Sequence, residues 1–220
     1  MINNPLQNIP VVTRNLLYVN IIMFIATLIN PAFMKDTFAM AFPLSTDFRW
    51  WQPITHMFMH DGFWHIFFNM YSLVMFGMVV ERALGTKKFL ILYFITGFGA
   101  VALHTGVEWL EIHRALASDD LAVRQGALDL LRIPMVGASG AIFGVLVAFA
   151  MLYPEARMTL LFPPVTLDAK WMVIIFVGLE LVIGITGPSM GIAHFAHLGG
   201  ALFGFLLILY WRKRGELWRR

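Results

Sequence analysis

Residues 193–204 read Ala193-His194-Phe195-Ala196-His197-Leu198-Gly199-Gly200-Ala201-Leu202-Phe203-Gly204, inside an otherwise apolar run. Earlier in the chain, Gly137-Ala138-Ser139-Gly140 heads a second apolar run. Ionisable groups at membrane depth are costly and usually functional. A serine near an imidazole is a candidate activated nucleophile. The two stretches together suggest nucleophilic hydrolysis carried out inside a bilayer.

Composition agrees with a membrane setting. The 220 residues are 59% hydrophobic and only 13% charged, against about a quarter charged in ordinary globular chains. The excess is spread along the chain, so one bundle of membrane helices over residues 1–220 is the economical reading. The formal charge of +3 is modest. The basic residues sit beside apolar runs and form no stripe with aromatics, so nucleic acid is not an expected partner. The absence of cysteine excludes disulfides, thiolate metal sites and a cysteine nucleophile. Only Arg14 precedes the first apolar run and no small-x-small cleavage site follows it, so that run reads as a retained transmembrane helix.

Six apolar spans can be drawn, at about 12–30, 63–82, 88–107, 136–153, 171–187 and 192–211. The fourth and fifth are short for a simple crossing. A helix that starts inside the membrane, with Ser139 near its N-terminus, suits the fourth. With six spans both termini share a side. Eleven of the 16 Lys and Arg residues fall on that side and five on the other. The bias places both termini in the cytoplasm, and the expected location is a bacterial cytoplasmic membrane. Two external segments are long. Residues 31–62 carry Trp50-Trp51 and read as an interfacial loop. Residues 108–134 mix Leu110, Leu116, Leu121, Leu128 and Leu131 with charges, and read as an amphipathic insertion of one or two short surface helices.

Small residues commonly line helix contacts in membranes, which is the plain reading of Gly137, Ala138, Ser139 and Gly140 taken alone. The last helix changes that. Gly140-x-x-x-Gly144 and Gly200-x-x-x-Gly204 are both close-approach patterns. His197, Gly200 and Gly204 share one helix face. If the glycine faces meet, Ser139 comes within hydrogen-bond reach of His197. His194 lies one turn from His197, so spacing alone leaves either as the base. His197 is favoured because the glycines lie on its own face. A second cluster is His56-x-x-x-His60, then His65-x-x-x-Asn69. His65 and Asn69 are one turn apart and can donate hydrogen bonds to a developing oxyanion, together with the Ser139 backbone N–H. Gluing helices together is the competing role. For His56 and His60, bracing the external loop is the better reading. Histidines four apart also suit zinc, but the His-Glu-x-x-His of intramembrane metalloproteases is absent. No functional metal and no cofactor are expected. Glu180 lies within the fifth span, with His104 a candidate partner, and helix packing is the reading for both. The 14 methionines read as flexible packing.

In their order these motifs resemble the rhomboid family of intramembrane serine proteases, over about residues 48–207. Thr55-His56-x-x-x-His60 and His65-x-x-x-Asn69 are similar to the start of the family's second helix. Glu81 and Gly85 match its Glu-x-x-x-Gly helix end. Gly137-Ala138-Ser139-Gly140 matches Gly-x-Ser-Gly, and Ala196-His197-x-x-Gly200-x-x-x-Gly204 matches the last helix. The resemblance implies an all-α, six-transmembrane-helix bundle with a water-filled cavity opening outward. It implies a Ser–His dyad, with Ser139 the nucleophile and His197 the base, and an oxyanion site assisted by His65 and Asn69. Phe143 matches the aromatic that packs on the catalytic histidine. The family's loop commonly carries Trp-Arg where this chain has Trp51-Gln52, with Arg49 nearby. No aspartate takes a third place, in keeping with a dyad. The implied partners are transmembrane protein substrates and the lipid bilayer, and the implied reaction is cleavage of transmembrane helices near their outer end. Two rivals stand beside it: a catalytically silent rhomboid-like protein that binds or escorts membrane clients, and a small transporter whose histidines relay protons.

Overall fold

A computed structural model describes residues 8–130, 132–160, 164–186 and 192–217. Leu131, residue 187 and the Arg219-Arg220 pair, all used in the reading above, lie outside them.

The chain enters α1 (Val11–Ile29) directly after Pro10. The first amides of a helix have no partner within it. Here a distant carboxylate supplies one: Glu81 Oε1 accepts from Val12 N at 2.9 Å, and Oε2 from Thr13 N at 2.7 Å and Thr13 Oγ1 at 2.8 Å. Glu81 is buried. The Glu-x-x-x-Gly motif thus ties the C-terminal end of the second span to the start of the first.

Residues 31–62 form a hydrogen-bonded loop with short helices. Pro31 opens α2 (Pro31–Phe38), and the Asn30 side chain accepts from Phe33 N. A short α3 (Gln52–Thr55) runs into a 3₁₀ turn, His56–Phe58. Trp50 is largely exposed, whereas Trp51 donates its indole N–H to Thr37 O at 2.9 Å. Gln52 is buried, and its Oε1 accepts from Arg49 N while its Nε2 donates to Asp47 O. It braces the loop at the position where the family pattern has arginine.

The second span is α4 (Phe63–Ser72), a π-helical stretch Leu73–Gly77, and α5 (Met78–Leu84). Gly85, at φ 79°, closes it. The helix α6 (Thr86–Leu116) is 31 residues long, about 46 Å at 1.5 Å per residue. That corrects the expected third span. No breaker interrupts Glu108-Trp109-Leu110-Glu111-Ile112-His113, so the helix runs on through the first third of what read as a surface insertion. The remainder forms α7 (Leu121–Leu130), whose first turn Asp120 caps through Ala122 N at 2.8 Å.

The fourth apolar run is α8 (Ser139–Leu152), 14 residues long. It rises about 21 Å, well short of a ~30 Å hydrocarbon core. Pro154 follows, and a hairpin of β1 (Arg157–Thr159) and β2 (Thr166–Asp168) departs from an all-α expectation. Its strands are antiparallel with Arg157 opposite Asp168, and those side chains pair at 2.9 Å. The chain then forms α9 (Ala169–Thr186) and α10 (Ile192–Lys213).

Among the described residues, five helices are long and apolar enough to cross a membrane: α1, the Phe63–Leu84 helix, α6, α9 and α10; α8 is a shorter apolar helix. The core lies where α6, α8 and α10 meet, around Phe89, Leu92, Tyr93, Val145, Ala148 and Ile208, all essentially without exposure. Ile22, Leu28, Trp64, Phe68, Ile174, Val182 and Leu206 point outward, as a lipid-facing surface requires. Lipid is as apolar as these side chains, so close helix packing has to hold the bundle together.

Candidate active site

The packing of α8 on α10 builds the site. A Cβ placed on Gly200 would overlap the Gly140 carbonyl, and one on Gly204 would come within 2.7 Å of the Gly144 carbonyl oxygen. Backbone thus meets backbone along the two glycine patterns, at a separation any side chain would prevent. The consequence is registered one turn away. Ser139, the first residue of α8, has its Oγ 2.9 Å from His197 Nε2. The Phe143 ring, one turn on, stacks on the His197 imidazole with centroids 4.4 Å apart and planes within 5°. That stack fixes the plane of the imidazole and shields one of its faces.

The turn before Ser139 is set by Gly137, at φ 122°, a backbone state that L side chains rarely adopt. Its N–H donates to His56 O at 2.9 Å. Met40 and Met135 exchange backbone hydrogen bonds at 2.9 Å in both directions. The loop 31–62 is therefore stitched to the segment that presents the serine. His56 and His60 are buried in this loop and do not reach Ser139. His56 donates from Nδ1 to Gln52 O at 2.9 Å. Burial lowers both histidines from an ordinary 6.5 to about 4, so each is neutral at physiological pH. His60 in turn packs its ring edge-to-face on His65, with centroids 4.9 Å apart.

His65 comes close to the serine. A Cβ built on Gly137 would lie 2.8 Å from His65 Nε2 and 3.7 Å from Ser139 Oγ, so these two atoms flank one small space. Asp61 N stands 3.4 Å from His65 Nδ1, which accepts there and leaves the proton on Nε2 as a donor toward Gly137. Asn69 is buried one turn below and gives one amide hydrogen to His65 O at 2.8 Å, keeping a second. The N–H groups of the first turn of α8 have no intrahelical acceptor. The arrangement offers an oxygen nucleophile, a base within hydrogen-bond range, and the His65 ring edge beside them.

One group in the site was not recognised from sequence. Glu180 of α9 turns toward α10: its Oε2 accepts from His194 Nδ1 at 2.5 Å and lies 3.0 Å from His197 Nδ1. His104, the partner considered for it, instead stands 3.8 Å from Glu108, one turn along its own helix. A carboxylate within the fifth span and two histidines within the sixth were the available signal. Spans adjacent in sequence run antiparallel and side by side, so their polar residues meet at similar depth. Glu180, His194 and His197 are also the one group of three whose ligand atoms come within 4.8 Å of one another among the described residues, a set that suits a metal ion by type.

A family model for the Rhomboid domain matches residues 47–214. The chain is 29% identical over 168 residues to Rhomboid protease AarA of Providencia stuartii, covering 76% of this chain and 57% of that protein. It is 32% identical over 175 residues to RHOMBOID-like protein 12, mitochondrial, of Arabidopsis thaliana, covering 78% and 49%. It is 32% identical over 166 residues to Presenilin-associated rhomboid-like protein A, mitochondrial, of Danio rerio, covering 73% and 38%. The chain spans about half the length of these curated relatives. Their mitochondrial members leave the expected bacterial cytoplasmic membrane without support. The matched model covers most of the chain and all the elements that build the site: this is an integral multi-pass membrane protein, and it belongs to the rhomboid family.

Proposed function

We propose that the chain is an intramembrane serine endopeptidase that cleaves transmembrane helices near their outer end. The observation that carries this reading is the 2.9 Å approach of Ser139 Oγ to His197 Nε2, under the stacked Phe143 ring. Ser139 is the nucleophile and His197 the general base. Ser139 gives its proton to Nε2 as Oγ bonds to the scissile carbonyl carbon, and the carbonyl π pair moves to oxygen. His65 Nε2–H, the Asn69 amide and the Ser139 N–H receive that oxyanion. Its collapse expels the amine, which takes the proton from Nε2. Water, deprotonated by the same histidine, then releases the acyl group. Gly140, Gly200 and Gly204 hold the two backbones together, Gly137 turns the chain into Ser139, and His56 and His60 brace the loop above.

The short α8 counts as the sixth span. Its start inside the bilayer places Ser139 at depth, and the basic bias puts both termini in the cytoplasm. A substrate helix has its amides bonded internally, so it must unwind locally to present a carbonyl to Ser139. The test is cleavage of a single-span model substrate by the purified protein in liposomes. The wild-type protein should cut it, and Ser139→Ala should show no cut while remaining folded. Equal cleavage by Ser139→Ala would remove the serine from the reaction.

A further inference from the structure

A dyad leaves Glu180 without a task, although a carboxylate within a membrane helix is costly to keep unless it is paired. It is paired here, with the histidine that the proposed mechanism uses. His197 faces Ser139 through Nε2 at 2.9 Å and Glu180 Oε2 through Nδ1 at 3.0 Å. The Glu180, His194 and His197 side chains are only partly exposed, at 18%, 28% and 23%.

We propose that Glu180 is a positioning residue for His197, converting the Ser139–His197 pair into a Ser–His–Glu arrangement; the inference rests on the protease reading above. An ionised carboxylate can only accept hydrogen bonds. Beside His197 Nδ1 it selects the tautomer with the proton on that nitrogen, which leaves the Nε2 lone pair for the Ser139 proton. When Nε2 takes that proton, the imidazolium charge forms 3.0 Å from the carboxylate. Glu180 gains no proton in the step; it stabilises the charge and holds the ring, as the acid of a serine-protease triad does.

His194 explains how the carboxylate is held. Its Nδ1 donates to the same Oε2 at 2.5 Å, an aligned bond that anchors α9 to α10. The His197 Nδ1 contact is close but bent, and no aligned hydrogen bond reaches that nitrogen among the described residues. Catalytic hydrogen bonds are commonly loose before substrate binds and tighten as charge develops. His194 is therefore the structural donor, and His197 the donor whose bond strengthens in the transition state.

The test compares wild type, Glu180→Gln and Glu180→Asp in liposomes. It follows kcat and KM for a single-span substrate, the rate of Ser139 labelling by a fluorophosphonate, and the thermal midpoint. Glu180→Gln should lower kcat and the labelling rate by at least about tenfold, with KM within about twofold and the midpoint unmoved. Glu180→Asp, which keeps the charge but withdraws it by one methylene, should recover part of the loss. Wild-type kcat in Glu180→Gln overturns the inference. So does an equal kcat loss in Glu180→Gln and Glu180→Asp together with a fallen midpoint, which marks a purely structural role. Should Glu180→Gln fail to fold, a folded Glu180→Ala protein with wild-type kcat overturns it instead. A wild-type protein that neither cleaves nor labels refutes the protease reading itself, a result distinct from these.

Discussion

Ser139 owes its setting to three neighbours that do different things. Gly137 turns the chain at positive φ, Phe143 fixes the imidazole plane, and His65 brings a ring N–H to the same space as Oγ. If His65 and Asn69 donate to the oxyanion, their removal should act on turnover and leave folding intact. Asn69→Ala and His65→Ala are each expected to slow cleavage by up to ~100-fold, the usual consequence of losing one such donor. Unchanged turnover in the folded double variant would remove both from the mechanism. Of the residues around Ser139, its histidine partner was readable in sequence, because glycine spacing on α10 shares a face with His197. Glu180 was not. Polar residues in adjacent spans signalled a meeting at similar depth, but which atoms meet depends on how far α9 and α10 slide past one another, and no local pattern encodes that offset.

At the scale of elements, the α8–α10 contact holds the site. Two pairs of glycines let carbonyl oxygens of α8 sit where side chains of α10 would otherwise be. A methyl group at position 200 cannot be accommodated by a rotamer change, since the atom it meets is backbone. Gly200→Ala is therefore expected to force the helices apart, lowering stability by about 1–3 kcal/mol and separating Ser139 from His197. The readouts are a lower thermal midpoint in detergent and loss of cleavage. A fully active, equally stable Gly200→Ala protein would contradict the close contact. Hydropathy located the apolar runs well because every membrane helix must satisfy its backbone internally. It erred at the end of the third, where α6 continues to Leu116. Hydropathy reports where lipid contact ends, whereas a helix stops only at a breaker or a cap. The β1–β2 hairpin was missed for a related reason: three-residue strands leave too few positions for an alternating pattern to show.

At the scale of the whole molecule, a short helix presenting a serine is enclosed by longer ones, with a hydrogen-bonded loop tied to the turn before it. On the protease reading the site opens to one side of the bilayer, so orientation decides which compartment receives the product. A reporter active only in the cytoplasm should give signal when fused after Arg220 and none when inserted near Asp119; the reverse pattern would put the site in the other compartment. The central claim is narrower and can be met head-on: Ser139 is a nucleophile activated by His197. The measurement is fluorophosphonate labelling of the protein in lipid, with the modified residue located by mass spectrometry. The account predicts one covalent adduct, on Ser139, that disappears in Ser139→Ala and in His197→Ala while His194→Ala still labels. An unlabelled wild-type protein, or labelling that persists without His197, would contradict it.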